Sequence, residues 1–530
     1  MKNKIVYTFL LLVVLVSCKK SFLDLTNPNG PTLDNYYATA DQVQGATAFL
    51  YNQPWSSYID KAFNCIGDIL SGNMLSSAGD ANYGNNSYVY FTVQATDGNN
   101  LLAWQANYKV AGNATVLMTT FQQKLAAATA EQQGFLNEGI AEAQFIRGAA
   151  YFNIARVWGD VPIIADPIAL ASATNYNIPR YQQKDVLQFA LNDFKAAFEN
   201  LPADPIVTGR ASKYSAEGMM AKLYLYRGDY DSAAAAAKDV IESGKYALFS
   251  DYLGMFTNPN NNNNSESLFA LQWIAQGGYG YANAEQAYCA PASLLKPDFN
   301  TGYSSVIPSL DLINAYDFGD KRKGWSIMQE GYTNPNWKNV NFPNGFVYDT
   351  MPGGQQDDAT HITTGTRSNV LKYVIGPADN NGANPFPTNS QGGNSMCTYM
   401  LRYADVLLIY AEAVLGTNAS TADGDALAAF NQVHQRAGLT AVTSLTKDLI
   451  LHERRVEFAF EGDYWFDIQR QGFAKAKQIM EAQERGTLNG DGTVNHTGVT
   501  VSSASQLFLP IPSSEITADP ELAKPAVPYY

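Results

Sequence analysis

Trp273, Tyr279, Tyr281, Trp325, Tyr332 and Trp337 fall among the amides Asn283, Gln286, Asn334, Asn336 and Asn339. A ring offers a flat apolar face against which the C–H side of a pyranose packs. A planar amide offers both a donor and an acceptor to hydroxyls. Tyr83, in the stretch SSAGDANYGNN, could join such a set from the other side. The chemistry is non-covalent grip on an oligosaccharide. The same inventory would also hold a peptide, rings against side chains and amides against backbone. For any one ring the plain alternative is packing beneath a long loop.

Covalent chemistry finds less support. The histidines His361, His434, His452 and His496 are scattered, and HERRV at His452 lacks the second histidine of a zinc H-E-x-x-H helix. No G-x-S-x-G elbow, P-loop lysine or dinucleotide glycine fingerprint is present. NGDGTVN, 489–495, is acidic and glycine-rich but lacks the spacing and closing Glu of a calcium loop, so it reads as a surface turn, with a bound Ca²⁺ as the alternative. Cys65, Cys289 and Cys397 have no CxxC spacing and read as buried small apolar residues. The expectation is therefore no catalytic residue, no metal and no cofactor. A glycoside hydrolase stays as the enzymatic alternative, because its carboxylate pair is defined by separations of ~5 or ~6.5–9.5 Å that sequence does not display.

The elements that must position these residues are mostly helical. Apolar residues recur at helical spacing over 138–158 (Ala143, Ile146, Ala150, Ile154, Val157) and 185–201 (Leu187, Ala190, Phe194, Ala197, Leu201). Residues 214–248 read as two helices broken at Gly228-Asp229-Tyr230, a tetratricopeptide-like pair, and 402–416 with 425–439 read as a second. Such pairs cannot bury their apolar faces alone, so they stack. A late helix is expected to open near Thr446, with Asp448 in its first turn. Between 251 and 398 the helical period gives way to Asn, Gly, Pro and aromatics, with short strands expected at 345–349 and 369–376. The fold class is thus mainly α: helix pairs forming a scaffold, with a large loop-rich insertion containing a few short strands.

The chain opens with Lys2 and Lys4, an apolar run over 5–16, and LVSC ending at Cys18. The run is shorter than the ~20 residues of a membrane span and reads as an export signal. The LVSC ending resembles a bacterial lipobox, in which the cysteine is acylated. Residues 19–31 are polar, as a tether would be. The formal charge is −14, and losing Lys2 and Lys4 takes it to −16, which argues against nucleic acid and anionic headgroups as ligands.

Seven motifs in order resemble the SusD/RagB family of outer-membrane nutrient-binding lipoproteins: CKKSFLDL, WQANYKVAGNA, RGAAYFNIARVWGDVPII, KLYLYRGDYDSA, LRYADVLLIYAEA, HERRVEFAFEGDYWFDIQRQG and LFLPIPSSEI. Two departures stand out. The tail ADPELAKPAVPYY lacks the usual Asn-Pro-Gly-Tyr ending, and Asp463-Tyr464 stand where an Arg commonly precedes the Trp. The resemblance implies a lipid-anchored lid, through Cys18, on the outward side of the outer membrane. There it would cap a SusC-like TonB-dependent transporter and deliver oligosaccharides, or peptides in some members, without covalent chemistry. The expected layout is signal 1–17, lipidated cysteine and tether 18–31, helical part 32–250, ligand-binding insertion 251–398 and helical part 399–530.

Within that layout Arg147, Arg156, Trp158, Asp160, Asp405, Glu412, Glu453, Arg454, Arg455 and Glu457 are expected to build the scaffold. The ligand set is expected at Tyr83, Trp273, Tyr279, Tyr281, Trp325, Tyr332, Trp337, Asn334 and Asn336. A pure tetratricopeptide-like scaffold is the other non-enzymatic alternative. Exposed rings gathered in one arc would favour capture over it.

Overall fold

The computed structural model describes residues 36–76, 83, 86–173, 177–205, 207–278, 280–295, 303–350, 364–377, 386, 388–389 and 392–530. The expected signal, Cys18 and tether lie outside the described residues, as does Tyr279. The fold is mainly α, with tetratricopeptide-like helix pairs and a few short strands. After α1 (Ala40–Ala48) come the long α2 (Gly98–Leu125) and α3 (Ala130–Trp158), packed side by side. Thr129 and Gln132 close a reciprocal capping box on the first turn of α3, and Gly159, at φ 74°, ends it. α4 (Gln183–Asn200) packs on α3.

The first helix pair is α5 (Lys213–Arg227) and α6 (Tyr230–Glu242), turned by Gly228 in the left-handed conformation at φ 77°. The second is α7 (Tyr403–Leu415) and α8 (Gly424–Arg436), and α7 also packs on α6. α9 spans Lys447–Glu457, opened by the Thr446 hydroxyl, which accepts from the Leu449 N–H. α10 (Tyr464–Gln469) and α11 (Phe473–Ala482) follow. Among the described residues no helix is long and apolar enough to cross a membrane.

Among the described residues the strands form five two-stranded antiparallel ladders. β2 (Ser267–Leu271) pairs with β8 (Thr398–Arg402), so the loop-rich stretch leaves and rejoins the helical frame at one place. The others are β1 (Met74–Ser76) with β3 (Val306–Pro308), β4 (Ile327–Met328) with β7 (Asn369–Val370), β5 (Thr333–Asn334) with β6 (Phe346–Val347), and β9 (Thr487–Leu488) with β10 (Val494–Asn495). β7 is shorter than the sequence suggests. Tyr373 takes φ +69°, and the Gln286 side-chain oxygen accepts from the Ile375 and Gly376 N–H groups, where a partner strand would otherwise sit. β9 and β10 flank NGDGTVN, whose Asp491 carboxylate accepts from the Thr493 N–H and hydroxyl within its own turn. One main apolar core runs from Val43 to Leu522, and a second cluster gathers Tyr252, Met255, Phe256, Tyr373 and Tyr399. Cys65, Cys289 and Cys397 are buried free thiols.

The charged motifs stitch this frame together. Arg147 grips Asp193 with two hydrogen bonds of 2.7 and 2.8 Å. Trp158 Nε1–H donates to Asn100 Oδ1 at 2.9 Å. Arg454 bridges Asp405 and Asp467, both at 2.8 Å. Asp463, one of the sequence departures, pairs with Arg156 at 2.9 Å and Lys222 at 2.7 Å, so its carboxylate is locked into a local charge cluster.

A feature with no sequence signature lies at Tyr58–Ala62 and Asn64–Ile69, which form successive π-helical segments. The π-helix is rare, and short stretches of it recur at functional sites. Asp60, Asn64 and Asp68 all point from it into neighbouring elements. Tyr288 O–H donates to Asp60 Oδ1 at 2.6 Å, Asn64 Nδ2–H donates to Glu285 at 2.8 Å, and Asp68 accepts from the Phe460 and Gly462 N–H groups.

Candidate functional site

The connection from β2 to the short helix Glu285–Cys289 alternates inward and outward side chains. Trp273 turns in, 6% exposed, and its Nε1–H donates to Thr398 Oγ1 at 3.0 Å. Ile274 turns out at 56% exposure, and its N–H donates to the Tyr281 carbonyl at 2.8 Å, which sets Tyr281, 45% exposed, beside it. The tight return needs glycine at Gly277, where a Cβ would stand 2.5 Å from the Tyr281 Cβ. Asn283 closes the segment: it is buried, donates to the Met396 carbonyl and accepts from the Glu285 N–H.

Between this segment and the π-helical turn lies a cleft of about 130 Å³. Ser56, Ser57, Ile59 and Asp60 line it from the turn, and Trp273, Gly280, Ala282 and Ala284 from the other segment. Hydroxyls and a carboxylate beside apolar side chains offer both kinds of contact that a sugar ring makes. Asp60 is held on both oxygens, by the Tyr288 hydroxyl at 2.6 Å and by Lys61 Nζ at 3.2 Å. Lys61 also lies 5.4 Å over the Tyr288 ring. Tyr303, half exposed, is tied to the same helix by its N–H, which donates to the Ala287 carbonyl at 2.9 Å.

Beneath the cleft the polar chemistry becomes buried. Burial pushes the Glu285 carboxyl up to about 8, with Asp60 and Asp68 adding to the rise and the Asn64 amide opposing it. Tyr83 is fully buried, edge-on to Tyr288 at 5.8 Å, and burial holds its phenol well above the usual range. Its hydroxyl and Glu285 Oε1 have no hydrogen-bond partner among the described residues.

The remaining expected residues divide between two other places. Trp325 stacks on Tyr252 at 5.5 Å and 29°, half-buried against the second cluster. Tyr332, Trp337 and Phe346 form an aromatic nest, with ring centroids about 6 Å apart. Trp337 is 5% exposed and lies so close over Gly376 that a Cβ there would come within 2.4 Å of its ring. Asn334 Oδ1 accepts from the Asn336 N–H in a local turn, and the Asn336 residue is exposed. Asn339 donates to the Leu294 carbonyl, and Gln286 is wholly occupied with backbone groups. Loop backbone far from a regular ladder still needs partners, and these amides supply them.

Trp273 lines the cleft, Tyr281 stands exposed on the same segment and Tyr83 lies buried against Tyr288, whereas Trp325, Tyr332 and Trp337 pack elsewhere. Sequence reasoning missed Ile274, Tyr303, Ser56, Ser57 and Asp60. Tyr303 follows the turn signal NTG, but SSYIDKAFNCIGDIL reads as an ordinary amphipathic helix. Two larger clefts, of about 530 and 490 Å³, lie along the helical frame. Several of their polar side chains are already engaged: Asp160 with the Gln183 N–H, Gln183 with the Ala155 carbonyl, and Tyr108 with the Pro162 carbonyl. Among the described residues no His, Cys, Asp or Glu cluster could hold a metal ion.

The helical-repeat frame thus carries aromatic loops and a small cleft lined by Asp60 and Trp273. The family described as "SusD family" matches residues 265–530, and that described as "Starch-binding associating with outer membrane" matches 23–225. The chain belongs to the SusD/RagB family. It is 31% identical to a SusD-like protein of Bacteroides ovatus, over all of this chain and 98% of that one. It is 26% identical to SusD-like protein P2 of Formosa agariphila, over 88% of this chain and 90% of that one. Among solved structures, one crystallised with a xylogluco-oligosaccharide is 30% identical, covers 92% of this chain and 99% of its own, and superposes with a TM-score of 0.78.

Proposed function

We propose that the protein captures an oligosaccharide on the face formed by Ile274, Tyr281, Tyr303 and the adjoining cleft. It then passes the sugar to a SusC-like TonB-dependent transporter. The observation that carries this reading is the half-exposed ring of Tyr281, set between the cleft residues Gly280 and Ala282, beside a cleft lined by hydroxyls, a carboxylate and apolar side chains. The likeness to a protein crystallised with a xylogluco-oligosaccharide supports it and names the first sugar class to try. The protein is anchored through acylated Cys18 on the outward side of the outer membrane, a reading that rests on the lipobox-like LVSC and the family.

Capture proceeds without bond cleavage. Asp60 is the one carboxylate among the described residues lining the cleft, and glycoside hydrolysis calls for two facing the scissile bond. The test is calorimetric titration of a soluble form beginning at Ser21 against xylogluco-oligosaccharides, other oligosaccharides and short peptides, with each mixture then assayed for products. Binding of one sugar class without turnover is the expected result. Cleavage would make the protein a hydrolase, and peptide binding alone would reassign the ligand.

A further inference from the structure

Tyr281 is carried on a tight return that leaves β2 at Gln272, far in sequence from the turn that lines the other side of the cleft. Asn52 joins the two. It lies between two 3₁₀ turns, Phe49–Tyr51 and Gln53–Trp55, just ahead of the cleft residues Ser56 and Ser57. Its Nδ2 donates to the Gln272 carbonyl and, at 3.3 Å, to the Tyr281 carbonyl. One amide thus grips the return at both ends. The Ile274 N–H donates to the same Tyr281 oxygen at 2.8 Å, which closes the return on itself.

The turn that carries Asn52 is seated on the helical frame. The neighbouring Tyr51 is buried, its hydroxyl donates to Glu142 of α3 at 3.2 Å, and it accepts from the Ala211 N–H at 3.0 Å. The Tyr51 carbonyl accepts from the Gln272 N–H at 2.9 Å, and Trp55 Nε1–H donates to the Leu50 carbonyl at 2.9 Å. The Tyr281 ring itself is about half exposed, so core packing fixes little of it. A ring ordered only when its ligand arrives takes that ordering cost out of the affinity, and a ring ordered beforehand does not. Here the backbone clamp supplies the order that packing leaves out.

We propose that Asn52 is a positioning residue of the ligand face: by holding the Gln272 and Tyr281 carbonyls it sets the Tyr281 ring beside the cleft before any sugar binds. It acts through Tyr281 and not through contact with the sugar. The proposal rests on the reading of this face as an oligosaccharide site.

The experiment measures xylogluco-oligosaccharide affinity by calorimetry for the wild-type protein, Asn52→Ala, Tyr281→Ala and the double variant, with a melting curve and amide hydrogen exchange on each. Asn52→Ala should weaken binding about three- to tenfold, the size of a lost hydrogen bond or two, with the melting temperature nearly unchanged. In the Tyr281→Ala background the same change should cost less than about twofold, because the ring through which it acts is gone. Exchange at the Ile274 amide should quicken without spreading to the helices of the frame. Asn52→Asp keeps the shape but replaces the donor with an acceptor, so it should weaken binding at least as much. It carries the test if Asn52→Ala does not fold.

Full affinity in a folded Asn52 variant overturns the proposal and leaves the capture reading intact. So does an equal loss in both backgrounds, and loss of fold in both variants makes Asn52 a frame residue. A Tyr281→Ala variant that binds like the wild type removes the ligand reading of this ring, and the proposal goes with it. A wild type that does not bind the sugar has the same consequence.

Discussion

Two regions of the molecule use charge in opposite ways. Where α8 and α9 meet the loop-rich stretch, Arg402 contacts Glu266 at 2.6 Å, Glu457 at 2.7 Å and Glu461 at 2.7 Å. Arg436 joins Glu457 at 2.6 Å, and Arg322 joins Glu453 at 2.6 Å. All of these residues but Arg436 are buried, and the Arg436 side chain is only 9% exposed. Burial alone would raise the Glu457 carboxyl, but Arg436, Arg402 and Arg322 outweigh it and hold it far below the usual range. The cleft carries one carboxylate among its described lining residues, Asp60, beside the Ser56 and Ser57 hydroxyls. Strong charge builds the frame, and the proposed ligand face is mostly uncharged. The lesson is that the most recognisable motifs mark the scaffold, because a buried ion cluster constrains many residue types at once and a sugar platform constrains few.

The comparison can be broken most forcefully on the frame side. Glu457→Gln strips one carboxylate from three guanidinium groups and should destabilise the protein by about 3–5 kcal/mol, measured by denaturant unfolding. An unchanged midpoint would show that the seam is ornamental. Trp337→Ala should cost about 3–5 kcal/mol as a buried large-to-small change, while leaving sugar affinity of the folded protein nearly unaltered. A selective loss of affinity with normal stability would return Trp337 to the ligand face.

On the cleft side, Tyr281→Ala should weaken oligosaccharide binding by about 1–3 kcal/mol, by analogy with stacked bases, and Tyr303→Ala by the lower part of that range. Neither should move the melting temperature by more than a degree or two, since both rings are about half exposed. A fall in stability with intact binding would make them frame residues after all.

The buried Glu285 sharpens the contrast by pH. Its carboxyl titrates near 8 in the fold against an ordinary 4.5, so the folded state holds the proton more tightly. The stability from the neutral form is fully present below about pH 4.5 and fades as pH rises towards 8. Asp68, raised to about 6, and Glu217, raised to about 7, act in the same sense. The melting temperature should therefore decline from pH 5 to 8, and Glu285→Gln should flatten that decline without abolishing it. A wild-type profile that rises over this range would exclude a neutral Glu285. The smallest effect is expected from Thr446→Ala, which removes the hydroxyl cap of α9 and should cost about 1 kcal/mol with no change in sugar affinity.

Much of the frame was legible in the chain. The apolar stripe from Ala143 to Val157 lies in α3, the break at Gly228 separates α5 from α6, and Thr446 caps α9. The scaffold reading of Arg147, Glu453, Arg454 and Glu457 also fits their pairing, because charges set at helical spacing among apolar residues must find partners once buried. The candidate site was legible only as an inventory. Trp337 and Tyr281 look alike in sequence, each in an Asn- and Gly-rich loop, yet one is 5% and the other 45% exposed.

What the sequence determined by itself is whatever depends on periodicity and local backbone chemistry: the helix pairs, their caps and breaks, and the family to which their order belongs. What only the tertiary structure decided is which ring faces water and which carboxylate faces the cleft. Both depend on loops meeting across long sequence separation, as when Tyr288 takes hold of Asp60 and Thr398 takes hold of Trp273. The π-helical turn belongs to the same class, since a register of i→i+5 bonds is set by the partners awaiting Asn64 and Asp68 and leaves no periodic trace in the chain.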